Sequence, residues 1–364
     1  MNAPQVLIDL LGACWESDAA VVEVVWDRSG QCAGFALGDG TLALATGVWE
    51  GGPRLEPRER GGVEFVQAQA PPAPLTRFAV HEGACLALTA DPAGGFLSGG
   101  DDGRLVHLLL DGASELIAYE AGAWIDRVAA SPASGRAYAC GRRVHWLGPK
   151  PACLMLTGSA TAMAFDPAGA RLAISHQGGV TLWAAHTLRE RSLKWPGYHR
   201  NVAWSPDGRY LVTGMEENAL HGWRLPDGAD IEMGGYPGQP RSLSFSADGR
   251  FLATSGGMRA VCWRFDPPGA NEEPHESGLA GKTPVSVVVC HPVHPLIAVG
   301  YHSGAVLLCQ PGSSDLLFIK GAGSSPVSAM AWSPDGRRLA LGTEAGELAL
   351  VFLPDELFRF RRRG

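Results

Sequence analysis

The stretch NVAWSPDGRYLVTGMEENALHGWRL, Asn201 to Leu225, decides the fold. Apolar residues run up to Ser-Pro-Asp-Gly, a second apolar run follows, then the break Glu-Glu-Asn, then a third run carrying Trp223. Pro presets φ for the second position of a tight turn, Asp suits the third, and Gly closes the fourth. Ser205 to Gly208 therefore reads as a type I turn between two strands. The alternation and branched or aromatic residues of "RYLVTG" fit strands packed between neighbours. The second break is hairpin chemistry. A near copy, AMAWSPDGRRLALGTEAGELALVFL, occupies Ala329 to Leu353, so the chain is organised by repetition.

Eight versions of the stretch follow one another. The proline position of the turn falls at Arg28, Pro92, Pro132, Pro167, Pro206, Ala247, Pro292 and Pro334, at intervals of 64, 40, 35, 39, 41, 45 and 42. All but the first lie near the period of roughly 40–45 residues expected for propeller blades of four strands. Trp146, Trp183, Trp223 and Trp263 share one slot of the third strand; Leu108, Cys309 and Val351 fill it elsewhere, which makes it a core position. Fourth strands are expected at 63–68, 115–120, 153–158, 191–195 and 316–321, with weaker signals near Ile231 and Leu279.

These residues resemble the WD40 repeat family of β-propellers over nearly the whole chain. The resemblance is carried by AWSPDG (203–208 and 331–336), FDPAG (165–169), TLW (181–183) and HGWR (221–224). The family's Trp-Asp ending is absent, since Trp183, Trp223 and Trp263 precede Ala184, Arg224 and Arg264. Its Gly-His signature survives loosely at His81 and His199. Its buried hydrogen-bond network is implied in part, for His199, Thr213 and Trp223. The resemblance implies an all-β fold, one propeller of four-stranded blades spanning 1–364. Eight blades are expected, or seven if the first unit, set apart by 64 residues, is not a blade. Residues 5–11, QVLIDLL, are expected to close the ring as a strand on the last blade, which removes open sheet edges. Residues 354–364 form a basic tail.

Composition narrows the function. Hydrophobic residues make up 46% and charged residues 18%, values of a chain with a sizeable core. A net charge of −7 argues against a nucleic-acid partner, because phosphate contacts require clustered Lys and Arg. The 8 cysteines contain no C-x-x-C pair and most sit in apolar runs, as expected of buried thiols in a reducing compartment. The N-terminus has no basic residue before its short apolar run, so no secretory signal is expected. No stretch reaches 18 uninterrupted apolar residues, so no membrane span is expected. Together these place the protein in the cytoplasm.

No P-loop, HExxH or GxSxG motif is present. CHPVHP (290–295) offers thiolate and imidazole ligands, yet it aligns with the first turn of the repeat, which argues for a plain turn. Asp101, Asp102, His176, Glu216, Glu217, His302 and Glu344 fall at equivalent second-hairpin positions and would ring a channel mouth, or simply be wet hairpin tips. His176 and His302 are the candidate metal ligands. Trp15, Trp124, Tyr198 and Tyr236 are expected on interblade loops of the same face, with Tyr301 from a hairpin. Trp and Tyr are enriched at interface hot spots. Insertions at 49–62 and 266–278 map to the opposite face. Arg359 and Arg361–Arg363, interleaved with Phe358 and Phe360, could meet RNA or an acidic surface, or be a solvated end.

The expected function is a non-enzymatic scaffold that docks a protein or peptide partner on the face bearing Trp15, Trp124, Tyr198, Tyr236, Tyr301, Glu216 and Glu217. No cofactor and no membrane are implied. The alternative is a propeller that binds a small molecule or metal at the channel mouth.

Overall fold

A computed structural model describes residues 6–58, 63–148, 150–185, 187–265, 273–323, 325–354 and 357. Eight antiparallel sheets follow one another along the chain, each beginning with an inner strand that packs against the inner strand of a neighbouring sheet. The first unit, Val21–Trp26, Cys32–Leu37, Thr41–Thr46 and Thr76–Ala79, is a blade like the others. The fold is an eight-bladed β-propeller with four-stranded blades. In blade 4 the second and third strands form one stretch, Arg171–Ala184. It turns at Gly178 and Gly179, whose φ values of +88° and +136° suit glycine.

The repeated turn is one hydrogen-bonded device used over and over. In blade 5, Gly208 N–H donates to Ser205 O at 2.9 Å, Ser205 Oγ–H donates to Asp207 Oδ1 at 2.6 Å, and Tyr210 N–H donates to Ser205 Oγ at 2.9 Å. Gly208 has φ +67°, outside the comfortable range of a residue with a Cβ. Blades 6 and 8 repeat it through Ser246 and Ser333, while blades 1, 2 and 4 use Asp27, Asp91 and Asp166. Blade 7 substitutes a histidine. His291 Nδ1 accepts the N–H groups of Val293 and His294 at 3.0 and 2.9 Å, and its Nε2–H donates to Gly336 O of the next blade at 2.9 Å. Both ring nitrogens are spent on backbone, so CHPVHP is a turn.

Tryptophan ties neighbouring blades together. The residue two before the turn proline donates its indole N–H to the preceding blade's inner strand: Trp204 to Ala164 O at 3.1 Å, Trp332 to Val289 O at 3.3 Å, and Trp26 to Ala331 O at 3.1 Å. The last of these links blade 1 to blade 8. The shared third-strand slot is core, with Trp146, Trp183, Trp223, Trp263, Leu108, Cys309 and Val351 all buried. On the inner strand of blade 1, Glu23 crosses to blade 2 and accepts Leu88 N–H at 2.8 Å.

Two local expectations change. The ring is closed by Gly12–Glu16, which pairs antiparallel with Glu347–Val351 of blade 8, rather than by residues 5–11. Leu7–Leu11 is a short helix, and residue 5 lies outside the described residues. The reason is spacing: Leu7, Ile8 and Leu11 share one helical face, whereas in a strand Leu7 and Ile8 would point to opposite faces. That face is buried against Ile319, Leu339, Val351 and Leu353. The second change concerns blade 1, whose outer strand is Thr76–Ala79. Val63–Val66 instead pairs with Arg54–Pro57 as a separate hairpin, which accounts for the 64-residue interval. Residues 59–62 and 266–272 of the insertions, and 355–356 and 358–364 of the basic tail, lie outside the described residues. Among the described residues no helix is long and apolar enough to cross a membrane.

Candidate docking face and channel mouth

Interblade loops and second hairpins open at the same end of every blade, so the expected aromatic and charged residues can be placed one by one. Trp124, on the loop between blades 2 and 3, is 63% exposed. Tyr198, half-buried, ends the outer strand of blade 4, with the Arg200 guanidinium 5.6 Å from its ring centroid. Trp15 is elsewhere than expected. It lies within the closing strand of blade 8, half-buried, its indole N–H donating to Ala73 O at 3.2 Å.

Tyr236 and Tyr301 are interior residues. Trp263 Nε1–H donates to the Tyr236 hydroxyl at 2.5 Å, which lies 2.7 Å from Thr254 Oγ1. Thr254 Oγ1–H in turn donates to Val261 O at 3.3 Å. Tyr236 thus holds the place in blade 6 that His199 holds in blade 5, where His199 Nδ1 meets Thr213 Oγ1 at 2.7 Å and packs against Trp223. Tyr301 is 1% exposed and its hydroxyl accepts Leu279 N–H at 2.8 Å. Burial pushes both phenols up. Neither can reach a partner. An aromatic next to a strand end has no sequence mark that separates facing out from folding in.

The most complete polar network is in blade 2. His81 Nδ1–H donates to Asp102 Oδ1 at 3.0 Å, leaving Nε2 to meet Ser98 Oγ at 3.0 Å. Burial lowers the pKa of His81, against the pull of Asp102. His199 is lowered for the same first reason.

The acidic hairpin residues are also committed internally. Asp101 accepts Ala84 N–H at 2.8 Å, and Asp102 accepts Glu82 N–H at 3.0 Å as well as His81. Glu216 pairs with Arg200, and Glu217 accepts Tyr198 N–H at 3.1 Å. Tyr198, Glu216 and Glu217 therefore form one cluster at the junction of blades 4 and 5, separated from Trp124 by blades 3 and 4. His176 is buried, with Nδ1 at 2.8 Å from Gln177 O and Nε2 at 3.0 Å from Thr181 Oγ1. His302 is exposed on the hairpin of blade 7. The structure does not bring the two histidines together, and among the described residues no group of three or more His, Cys, Asp or Glu is arranged around a metal position.

Two concavities open on this face. The channel mouth of blades 5 to 8 is a cavity of about 810 Å³ whose polar wall includes Arg241, Ser242, Ser286, His302, Ser328 and Glu344. The other is a groove of about 720 Å³ over blade 3, between the loops that precede and follow it. Trp124 flanks it on the loop, Met155 on the outer strand of blade 3, and Gly141, Arg142 and Arg143 on that blade's second hairpin. Met155 is 59% exposed. Sequence reasoning passed over Met155, Arg142 and Arg143. The available signal was alternation in "CLML", where Leu154 and Leu156 are buried and Met155 points out.

The "WD domain, G-beta repeat" family matches residues 197–224, which are the first three strands of blade 5 with the loop before them. This match to a single blade, set in a complete ring of eight blades, supports a WD40-type propeller. The match covers one blade, and the other seven keep the turn and the core slot without the full signature. Among curated proteins no match was found. Among solved structures this propeller is similar to the crystal structure of the computationally designed Ika8 protein. That pair has a TM-score of 0.70 at 13% identity, covering 94% of this chain and 99% of that one. Likeness extends over 1702 chains, so it identifies an architecture and leaves function to this propeller's own side chains.

Proposed function

We propose that this propeller is a non-enzymatic docking scaffold for a protein or peptide, and that its contact region is the groove over blade 3. The observation that carries the reading is the pair Trp124 and Met155, two large apolar side chains, each more than half exposed, that line one groove. Apolar side chains grouped in one concavity mark interaction sites more than those scattered singly, and Trp is among the residues enriched in interface hot spots. WD40-type propellers are typically interaction scaffolds, which agrees with this reading. Tyr198, half-buried at the junction of blades 4 and 5, supplies a second contact point on the same face. Purification of tagged wild-type and Trp124→Ala protein from the native host tests the proposal. Loss of co-purifying proteins from the variant supports it, and identical sets from both would remove the groove from consideration.

The channel-mouth cavity favours a second reading, a small-molecule site, because about 810 Å³ falls within the range of ligand pockets. Its wall carries Arg241, bonded to the neutral Gln239 Oε1 at 3.0 Å, and Glu344, exposed on blade 8. Thermal unfolding of wild-type protein and Arg241→Gln against a panel of polar metabolites tests it. A shift that the variant loses supports the site, and no shift with any compound rejects it.

A further inference from the structure

The partner's chemistry follows from which charges in the groove are already used. Three charged side chains line it, Asp126, Arg142 and Arg143, with Glu120 and Arg127 adjoining. Both carboxylates are occupied. Glu120 accepts the Tyr138 hydroxyl at 2.9 Å and Arg143 NH2 at 2.9 Å. Asp126 lies 3.5 Å from Arg127 NH1. Arg142 is different: its guanidinium donates to a neutral acceptor, Leu156 O, at 2.9 Å, and no carboxylate answers it among the described residues. The side chain is exposed. The backbone bond fixes the guanidinium against blade 3 while leaving donors free, which prepares it for a carboxylate without ordering a mobile side chain on binding.

From this distribution of spent and unspent charge, we infer that the groove takes an acidic peptide segment, one large apolar side chain seating between Trp124 and Met155 and an adjacent carboxylate pairing with Arg142. The inference rests on the reading of the groove as the docking site and adds the partner's charge to it. The acid-rich hairpins give no pull on a basic partner, because Asp101, Asp102, Glu216 and Glu217 are consumed by N–H, imidazole and guanidinium partners within the propeller. A basic segment would bring its cations against Arg142 and Arg143 and find no free carboxylate in the groove. The chain's own tail, with Arg359 and Arg361–Arg363, is excluded on the same ground. A nucleic acid would find one uncommitted cation here, too few for phosphate-driven binding.

The test uses the full chain and a phage-displayed random dodecapeptide library, with Trp124→Ala protein for counter-selection. Trp124 and Arg142 are both exposed, so the variants should unfold at the wild-type temperature, which a thermal scan checks. The expected outcome is enrichment of peptides carrying Asp or Glu within two positions of Leu, Ile, Phe or Trp. By fluorescence anisotropy of the selected peptides, Trp124→Ala should weaken binding about 30-fold, a hot-spot loss. Arg142→Glu should weaken it about tenfold or more and reverse preference toward Lys-substituted versions of the same peptides. Peptides enriched in Lys or Arg and still dependent on Trp124 would overturn the acidic preference and leave the docking site standing. Enrichment indifferent to Trp124, or Trp124-dependent self-association by sedimentation without peptide enrichment, would overturn both.

Discussion

Substituting Tyr236 by Phe separates an interior aromatic from a docking one. The hydroxyl sits in a directional chain, Trp263 N–H to Tyr236 to Thr254 to Val261 O, at 2.5, 2.7 and 3.3 Å. Phe keeps the ring and its packing but leaves the Trp263 indole N–H without an acceptor, where Trp263 is 6% and Tyr236 8% exposed. Thr254 retains its bond to Val261 O, so a single buried donor is orphaned. Such a donor costs about 1–3 kcal/mol, and one orphan with ring packing intact puts the expected loss near about 2 kcal/mol. Native-state hydrogen exchange followed by mass spectrometry reads this locally, on the amides of Phe251–Thr254 and Ala260–Arg264. About 2 kcal/mol corresponds to roughly 30-fold faster exchange. Thr254→Val breaks the next link, and the two changes made together should cost less than their sum. Unchanged exchange in blade 6, or strictly additive costs, would refute the account of Tyr236 as an internal hydrogen-bond bridge.

Glu23 gives a pH dependence. Burial, opposed by the Leu88 N–H and the Arg127 charge, pushes its carboxyl up to about 7, above its unfolded value. The folded state therefore holds this proton more tightly. The stability it brings is present below the ordinary glutamate range and is lost as pH rises through about 7. Glu23→Gln should accordingly stabilise the protein at pH ~8 by about 1–3 kcal/mol, the lower figure allowing for water in the channel, and by little at pH ~4.5. Urea unfolding at the two pH values measures it, and an equal effect at both would remove burial of the charge as the cause. Leu11→Ala, at a fully buried position beneath the closing strand, should cost about 2–5 kcal/mol and expose Gly12–Glu16 to limited proteolysis before the rest of the ring. Trp124→Ala should change stability by less than about 0.5 kcal/mol in the same unfolding assay while abolishing partner capture. A large loss of stability would mark Trp124 as structural.

Much of this propeller was legible in the chain because its determinants are local. Ser205-Pro206-Asp207-Gly208 forms its turn from its own hydrogen bonds, wherever the blade sits. Seventeen residues on, Trp223 falls in the core because strand periodicity sends it there. Repetition of those two features gave the blades, their number and the closed ring. The closing strand was misplaced because Gly12–Glu16 is defined by its pairing with Glu347–Val351 at the far end of the sequence. Nothing near residue 12 announces that partner.

The docking face divides along the same line. The sequence by itself placed Trp124, Glu216, Glu217 and His302 at loops and hairpin tips, since turn chemistry fixes where the chain reverses, while Trp15 went instead into the closing strand. Tertiary structure alone decided which of them remain available. Tyr236 and Tyr301 fold inward to donors from Trp263 and Leu279, and Glu217 is taken up by the Tyr198 N–H. Trp124 and Arg142 stay open, beside Met155 on the outer strand of blade 3. Availability depends on whether a neighbouring element satisfies a group, and those neighbours lie on strands many residues away in the chain.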